Sequence, residues 1–420
     1  MYLVIIQVPI YLDGATPLLT TDWKRSLLLL RDSFDGRFGK LQVLAPSVDA
    51  RLFTVEQALE PVKAEDELDL VPSFPERTRA REFWTKHVFT WRRDVAALLP
   101  RADVVHSGLD DIYRPIAFTG FLMGMHAGKP TVFVQDTDQV LQMGELTAHA
   151  PLRERAKAFA YCQAYERSVR YSVARAPLSL LKGQALQNRY GRYAKNTKDF
   201  HDTSYLTQEI VPKAHVDGRV ADLVGSARPI RLVYCGRLEA RKGLADSLEV
   251  LARARAQGCR VTLDIIGDGN ERAALEQQAA SLSISAAVKF LGMRKYGPQL
   301  IRDLGDYDAL FFTPIAEDTP RMIFDGYAGG LPLLGYGIDY VRERESQDGA
   351  ARSVPVRDTA AAAGMLCALD RDRGQLAKLT RRAHEAAFYH SADAWYRRRA
   401  EWTYEAVAVH RATQGARRSA

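Results

Sequence analysis

Apolar positions follow two alternating patterns along most of the chain. Short, almost continuous apolar runs, typical of strands buried on both faces of a sheet, are separated by longer stretches with apolar residues every three or four positions. In the first half, strands are predicted over Leu3–Val8, Leu41–Ala45, Val104–His106 and Thr131–Val134, and helices over Asp22–Asp32, Phe83–Leu99 and Pro151–Arg175. This order of elements indicates an α/β fold with mostly parallel sheets.

The second half repeats the strand-helix pattern from Ile230 to about Ala368, after a polar and aromatic stretch that ends at Pro229. A chain of 420 residues with 47% apolar content can bury two hydrophobic cores. We therefore predict a first domain over residues 1–210, a linker over 211–229, a second domain over 230–390, and a terminal helix with a frayed tail over 391–420.

Composition narrows the protein class. The four cysteines are scattered without a Cys-x-x-Cys pair, which argues against a disulfide framework and a zinc site and favours a reducing cytoplasm. The apolar amino terminus lacks a basic leader and a small-residue cleavage site, so it predicts a buried strand rather than a signal peptide. No apolar run approaches the roughly 20 residues that span a bilayer.

The net charge of +7 is unevenly distributed. Residues 151–200 hold eleven Lys or Arg against three Asp or Glu, and residues 76–101 hold seven against three. These basic helices are candidates for peripheral contact with anionic lipid, or for contact with a phosphorylated acceptor. Alternatively, the basic residues form a solvated face, opposite an apolar stripe that packs against a core. The helical spacing of the apolar residues favours this interpretation: Trp84, Val88, Trp91, Val95 and Leu98.

Two carboxylates, Glu317 and Asp325, lie eight positions apart after the apolar run Ala309–Phe312. If that run is a strand ending near Pro314, Glu317 lies in the loop at its carboxyl end and Asp325 on the following helix. Ligands of open α/β sheets bind at that edge. Carboxylates there can accept hydrogen bonds from sugar hydroxyls and from a ribose, so the pair suits a nucleotide sugar.

This stretch resembles the donor-site signature of glycosyltransferase family 4, retaining enzymes of the GT-B fold, in which a Glu precedes x-Thr-Pro-Arg. Leu232–Gly243 looks like the family's strand, Gly-Arg-Leu turn and Lys-Gly, and Leu263–Gly269 looks like its next strand and glycine turn. Over the first 200 residues the resemblance is much weaker. It implies two Rossmann-like parallel-sheet domains facing each other across a cleft, with a C-terminal helix crossing back to the first domain.

The resemblance also implies roles for residues of the second half. Arg237 and Lys242 match the family's diphosphate pair, and Glu317 matches the residue that binds the donor-sugar hydroxyls. Asp325 replaces a family Glu and reaches one methylene less toward the ribose. The remaining donor-binding candidates are the turn glycines, the positions near the nucleobase and the loop after Glu317: Gly236, Gly267, Gly269, Met293, Arg294, Asp318, Thr319 and Pro320.

Candidates in the first half lie after its predicted strands. His106 resembles a family histidine that hydrogen-bonds the donor sugar, although Gly108 stands where the family often has a second histidine. A structural histidine beside a strand is the alternative. The acceptor-side candidates are Asp13, Gly14, Thr16, Asp136 and Asp138. The alternative is that they are loop residues without a role in binding.

Together these features predict a retaining, metal-independent glycosyltransferase without a cofactor, whose co-substrate is a nucleotide-diphosphate sugar, with UDP- or GDP-sugars expected. The expected acceptor is a hydroxyl of a saccharide, lipid-linked saccharide or natural product. No nucleic acid is expected as a partner. The expected location is cytoplasmic, with or without peripheral contact at the inner membrane face. The predicted diphosphate pair, Arg237 and Lys242, argues against a glycoside hydrolase, because a hydrolase has no use for a phosphate-binding pair. Two alternatives stay open: an inactive nucleotide-sugar-binding protein, and a NAD-type oxidoreductase, although Arg272 replaces the third glycine of the dinucleotide fingerprint.

Overall fold

The structure is a computed structural model that describes residues 1–52, 58–148 and 150–419. The chain divides into two compact units. The first comprises Met1–His201 together with Tyr396–Ala420, and the second comprises Asp202–Trp395. Ala420 lies outside the described residues.

Within its described residues, the first unit combines ten strands with helices on the chain between them. Its strands are β1 Tyr2–Ile5, β2 Ile10–Asp13, β3 Thr16–Thr20, β4 Leu41–Asp49, β5 Leu59–Pro61, β6 Leu68–Pro75, β7 Val104–Gly108, β8 Thr131–Gln135, β9 Leu178–Lys182 and β10 Thr197–Phe200. Its helices are α1 Thr21–Ser33, α2 Ala80–Glu82, α3 Val88–Leu98, α4 Ile116–His126, α5 Gln139–Thr147, α6 Leu152–Arg175 and α7 Gly183–Tyr190. The strands and helices predicted for this half are confirmed, with small shifts at their ends.

The first sheet has the order β10-β9-β8-β7-β1-β4-β2-β3-β5, with β6 also paired to β4. Its pairs are parallel except β2 with β3 and β3 with β5. The segment Asp13–Thr16 was predicted as a loop at the end of the first strand, but it is the tip of the β2-β3 hairpin, where Asp13 pairs with Thr16. Gly14 has φ +60°, as the first central position of a type II′ turn requires.

The helical segment over 80–101 explains a partly wrong core prediction. Trp91 is fully buried and its Nε1 donates to Thr119 Oγ1 at 2.8 Å, while Val88 and Val95 are also buried. Trp84 is 49% exposed instead. A π-helical turn over Phe83–His87 adds a residue to that turn, which rotates Trp84 off the buried face.

The second unit contains six strands, all paired in parallel in the order β13-β12-β11-β14-β15-β16. They are β11 Ile230–Cys235, β12 Val261–Ile266, β13 Val288–Gly292, β14 Ala309–Phe312, β15 Leu333–Tyr336 and β16 Ala351–Val354. The helices are α8 Lys213–Gly225, α9 Leu244–Ala256, α10 Arg272–Ser281, α11 Pro298–Leu304, α12 Met322–Ala328, α13 Asp339–Asp348, α14 Thr359–Arg371 and α15 Arg373–His390. The four residues of β14 are all fully buried, as a strand covered on both faces requires.

The predicted linker over 211–229 is wrong in its character, because most of it forms α8. This helix belongs to the second unit through Arg219, which is buried. The Arg219 guanidinium donates to the carbonyl oxygens of Gly305 at 2.7 Å and Gly330 at 2.6 Å. Those carbonyls follow α11 and α12, so the arginine satisfies helix-end groups that would otherwise lose their hydrogen bonds.

A last helix, α16 Ala392–Ser419, begins in the second unit and continues into the first. It runs through the segment for which fraying was predicted. In the first unit, Tyr404 Oη donates to Phe34 O at 2.6 Å. None of the helices in the described ranges is both long enough and apolar enough to cross a membrane.

Candidate functional site

The strand order of the second sheet places a binding edge between β11 and β14. The chain winds outward from β11 in one direction and from β14 in the other, so the loops after these two strands leave a crevice at their carboxyl ends. The loop after β11 carries Arg237 and Lys242, and the loop after β14 carries Glu317 and Asp318. The predicted donor-side residues therefore meet at one sheet edge.

Hydrogen bonds join these two loops at the base of the edge. Ile315 N donates to Arg241 O at 3.1 Å. Thr313 Oγ1 donates to Gly243 O at 2.8 Å and lies 2.6 Å from Ser247 Oγ. Gly243 has φ +68°, and a side chain there would overlap the Thr313 carbonyl. The contact fixes the 3-10 turn Ala240–Lys242 against the loop after β14.

Lys242 is largely buried, and its ammonium donates to Asp318. Arg241, which is not among the predicted site residues, contacts the other oxygen of Asp318 at 3.1 Å. Burial by itself lowers the pKa of Arg241, but the charges of Asp318 and Glu239 outweigh it and raise that pKa. Asp318, predicted as a donor-site residue, thus orders two cations at the place assigned to a diphosphate.

Arg237 reaches into solvent, with 76% of its side chain exposed. Its Nη1 lies 3.1 Å from Glu239 Oε1, and Glu239 also accepts from Arg241 Nε at 2.9 Å. The cluster of Arg237, Arg241 and Lys242 against Glu239 and Asp318 carries one net positive charge, three minus two. Glu317, on the same loop as Asp318, offsets this charge, so that three cations face three carboxylates until a ligand binds.

Glu317 is exposed in the middle of the loop that connects β14 to α12. Its Oε1 accepts a hydrogen bond from the backbone N–H of Asp339 at 2.8 Å. Asp339 is the first residue of α13, so the carboxylate lies at the positive end of that helix dipole. This contact orients one carboxylate oxygen and leaves the side chain at the surface of the edge.

Asp325 is buried on α12, not placed on the helix surface. Tyr296 Oη donates to its Oδ1 at 3.2 Å. Burial and, to a smaller extent, the negative charge of Asp325 raise the pKa of the Cys235 thiol to about 12. The Asp325 carboxylate therefore lies near Cys235, the last residue of β11. Tyr296 is 29 positions away in sequence and had no local signal that would mark it.

The turn glycines pack against protein backbone. Gly267 has φ +142°, and a Cβ there would overlap the carbonyl of Gly236. A Cβ at Gly269 would overlap the Leu238 carbonyl. Gly267 N donates to Gly292 O and Gly236 N donates to Ile266 O, both at 2.9 Å. Close packing of the loops after β11, β12 and β13 accounts for these glycines without a nucleotide.

The predicted nucleobase positions follow β13. Met293 is 81% exposed, and Arg294 Nη1 lies 3.1 Å from Asp303 Oδ2. Thr319 is exposed and Pro320 is half-buried in the loop before α12. Met293, three positions before Tyr296 in the sequence, offers a flexible apolar surface to a planar ring.

His106 lies on β7 in the first unit and is buried. Its Nδ1 is 2.9 Å from Tyr2 Oη, and burial raises the pKa of Tyr2, so the hydroxyl stays protonated and donates. Burial and the charge of Arg399 lower the pKa of His106 to about 3. The imidazole is therefore neutral near pH 7, with its proton on Nε2. A side chain at Gly108 would overlap the Val134 carbonyl, which explains the missing second histidine.

The two acidic candidates after β8 differ. Asp138 accepts from the backbone N–H groups of Val140 and Leu141, at 3.2 and 3.0 Å, and from Arg189, so it caps α5. Asp136 is exposed. Asp110, which is not among the predicted site residues, is also solvent-accessible. The surrounding protein and the charges of Asp136 and Asp111 raise its pKa to about 6.

Comparison with protein families agrees with the second-unit site. Residues 229–372 match the model for glycosyl transferases group 1, which covers about a third of the chain. Glycogen synthase of Mycobacterium tuberculosis is 30% identical over 132 residues, which is 31% of this chain and 32% of that protein. The GtfA subunit of a Streptococcus pneumoniae UDP-N-acetylglucosamine–peptide N-acetylglucosaminyltransferase is 20% identical over 168 residues, 40% of this chain and 31% of that protein. The chain aligns with about a third of the length of these relatives.

Solved structures resemble the whole chain in fold. Anabaena Alr3699/HepE in complex with UDP has a TM-score of 0.63 at 16% identity, covering 96% of this chain and 100% of that one. WaaG, a glycosyltransferase involved in lipopolysaccharide biosynthesis, has a TM-score of 0.57 at 12% identity, covering 96% and 99%. Sucrose-phosphate synthase from Thermosynechococcus elongatus has 0.57 at 14% identity, covering 99% of both chains. The predicted α/β class with two Rossmann-like parallel-sheet units, as in GT-B glycosyltransferases, is confirmed.

Proposed function

We propose that this protein transfers a sugar from a nucleotide-diphosphate sugar to a hydroxyl acceptor, with retention of anomeric configuration and without a required metal ion. One observation carries the proposal. Lys242, Asp318 and Glu317 meet at the carboxyl ends of β11 and β14, within the segment that matches the glycosyl transferases group 1 model. UDP-sugars are the first donors to test, because UDP is bound in the similar HepE structure.

In the proposed reaction the bond between the anomeric carbon and the diphosphate oxygen breaks, and a bond from that carbon to the acceptor oxygen forms. The acceptor proton passes to the departing diphosphate. Lys242 and Arg241 stabilise the negative charge that develops on the diphosphate, with Arg237 reaching it from solvent. Because Asp318 holds both inner cations in place, they do not need to reorganise when the charge appears.

The two carboxylates divide the donor between them. Glu317, exposed at the edge, accepts hydrogen bonds from the sugar hydroxyls. Asp325, buried deeper beside Tyr296, accepts from the ribose hydroxyls, directly or through a water. The Tyr296 hydroxyl compensates in part for the shorter side chain, since it fixes the Asp325 carboxylate at 3.2 Å.

The structure bears on the oxidoreductase alternative. The dinucleotide fingerprint uses glycines so that backbone can approach a pyrophosphate. Here the side-chain positions of Gly267 and Gly269 are filled by carbonyls of the β11 loop. Arg272, at the third fingerprint position, pairs with Asp268 at 3.3 Å and Glu276 at 2.9 Å. These glycines serve the packing of the protein, which favours the transferase.

The testing experiment is a thermal-shift screen of the full chain with UDP-, GDP-, ADP- and dTDP-sugars, followed by release of nucleoside diphosphate from the best ligand. A ligand at 100 times its dissociation constant stabilises the fold by about 2.7 kcal/mol. We expect one nucleotide class to stabilise the protein and to be turned over. Stabilisation without turnover, with or without a panel of sugar acceptors, identifies the inactive binding protein. Stabilisation by NAD(H) alone overturns the proposal.

A further inference from the structure

An apolar stripe on the first turns of α6 is exposed to solvent in the part of the chain that the structure describes. Leu152 is 80% exposed and Phe159 is 67% exposed, and Ala156 between them is also exposed. Residues four and seven positions apart lie on one face of a helix. We call these three residues the α6 stripe. Solvent exposure of a large leucine and a large phenylalanine on one helix face is unfavourable unless another surface covers them.

The α6 stripe is distinct from the side of the helix that packs on the first unit. The buried residues of α6 are Ala158, Tyr165, Val169, Ser172 and Val173. At 3.6 residues per turn, their mean direction is about 120° away from the stripe. The stripe is therefore a second apolar face, and the core of the first unit does not account for it.

Basic residues accompany the stripe. Arg153, Arg155 and Lys157 are exposed on the same two turns. Glu154 is the one acid over residues 152–159 and pairs with Lys157 at 2.8 Å, so the segment has three positive charges and one negative, net +2. Long basic side chains keep their charge in water while their stems cover apolar surface. An apolar face bordered by Lys and Arg is the pattern of helices that lie in a membrane interface.

We propose that the α6 stripe inserts into the surface of an anionic lipid bilayer. Arg153 and Arg155, about 90° and 70° to either side of the stripe, lie at the headgroup phosphates, and Lys157 adds its charge from farther round the helix. Three apolar residues are too few for a stable protein interface, which needs about 800 Å² on each partner. Shallow insertion needs only a few apolar side chains, because neighbouring cations add their attraction to anionic lipid. This inference does not rest on the proposed transfer reaction.

The test is co-flotation of the full chain with vesicles of phosphatidylcholine and phosphatidylglycerol, about three to one, against vesicles of phosphatidylcholine alone. We expect binding to the anionic vesicles only, weakened by high salt because salt screens the charges. Leu152→Gln with Phe159→Gln is expected to lower the partition coefficient about tenfold or more. Replacing Arg153, Arg155 and Lys157 by Gln is expected to lower it about a hundredfold.

Matched controls come from α15 of the second unit. Phe388→Gln removes another exposed phenylalanine, which is 47% exposed, and the triple replacement of Lys378, Arg381 and Arg382 by Gln removes three exposed charges. Both controls are expected to bind vesicles like the wild type. The α6 variants are expected to keep the wild-type melting temperature, because their side chains are in water.

Several results would overturn the proposal. No binding of the wild type to anionic vesicles would do so, as would equal losses in the α15 controls. A concentration-dependent self-association of the wild type that Phe159→Gln abolishes, without vesicle binding, would assign the stripe to a second copy of the chain instead.

Discussion

Replacing Lys242 by Met separates the charge of this lysine from its packing. The side chain is only 9% exposed and its ammonium lies 5.9 Å from the Phe312 ring centre, so an apolar chain of similar length fits the site. Loss of one preorganised contact to a developing oxyanion costs roughly 2.7 to 4 kcal/mol. We therefore expect the rate of sugar transfer to fall about a hundredfold to a thousandfold.

The same change has a smaller effect on stability. Breaking a buried ion pair and leaving one charge without a partner costs about 3 to 5 kcal/mol. Asp318 keeps Arg241 at 3.1 Å after Lys242 is replaced. We expect the free energy of unfolding to fall by about 1 to 2 kcal/mol, less than for a carboxylate left alone. Urea denaturation measures this loss, and the variant stays folded under assay conditions.

Calorimetric titration locates the effect on the ligand. Lys242→Met is expected to weaken nucleoside diphosphate about tenfold or more, since a hydrogen bond to a charged group contributes about 1.5 to 3 kcal/mol. Binding of the nucleoside without phosphate is expected to be unchanged. The matched control is Lys213→Met, an exposed lysine paired with Asp217 on α8, for which activity and binding should equal the wild type. Transfer within about threefold of the wild type, or equal weakening of nucleoside and diphosphate, refutes the assignment of Lys242 to the diphosphate.

Three further predictions concern other parts of the second unit. Asp325→Ala should weaken both the nucleoside and its diphosphate, whereas Glu317→Ala should weaken only the nucleotide sugar; calorimetric titrations that show the same pattern for both variants would contradict this division of the donor. Gly267→Ala should lower the free energy of unfolding in urea by about 2 kcal/mol or more, because the new Cβ overlaps a carbonyl at φ +142°; a loss below about 0.5 kcal/mol would show that the loop relaxes freely. Burial alone raises the pKa of Asp308, but hydrogen bonds from Arg228 at 2.6 and 2.9 Å and the nearby positive charges outweigh it, so the folded-state pKa lies below the ordinary value. Its stabilisation is therefore present above about pH 4 and is lost as the pH falls through the folded-state pKa. Asp308→Asn should be less stable than the wild type near pH 7, and its urea midpoint should change less as the pH is lowered. Urea midpoints that fall in parallel for both proteins would exclude this contribution of Asp308.

The class of fold, and the sheet edge at which the donor-side residues lie, follow from the order of amino acids alone. Continuous apolar runs such as Ala309–Phe312 have no polar face to turn to water, so they form strands covered on both sides. Strands that alternate with helices must then run parallel. Once that holds, residues that follow strands, such as Lys242 and Glu317, lie at one edge of the sheet.

The partners of those residues depend instead on how distant segments pack. A local pattern encodes a period but not which loops touch, and that depends on the strand order of the whole sheet. The pairing of Lys242 with Asp318, 76 positions apart, and of Tyr296 with Asp325 follows from that order. The π-helical turn that exposes Trp84 changes the period itself within one turn. Packing between distant segments selects such a turn, because its local cost is offset by burying Phe83 and Trp91.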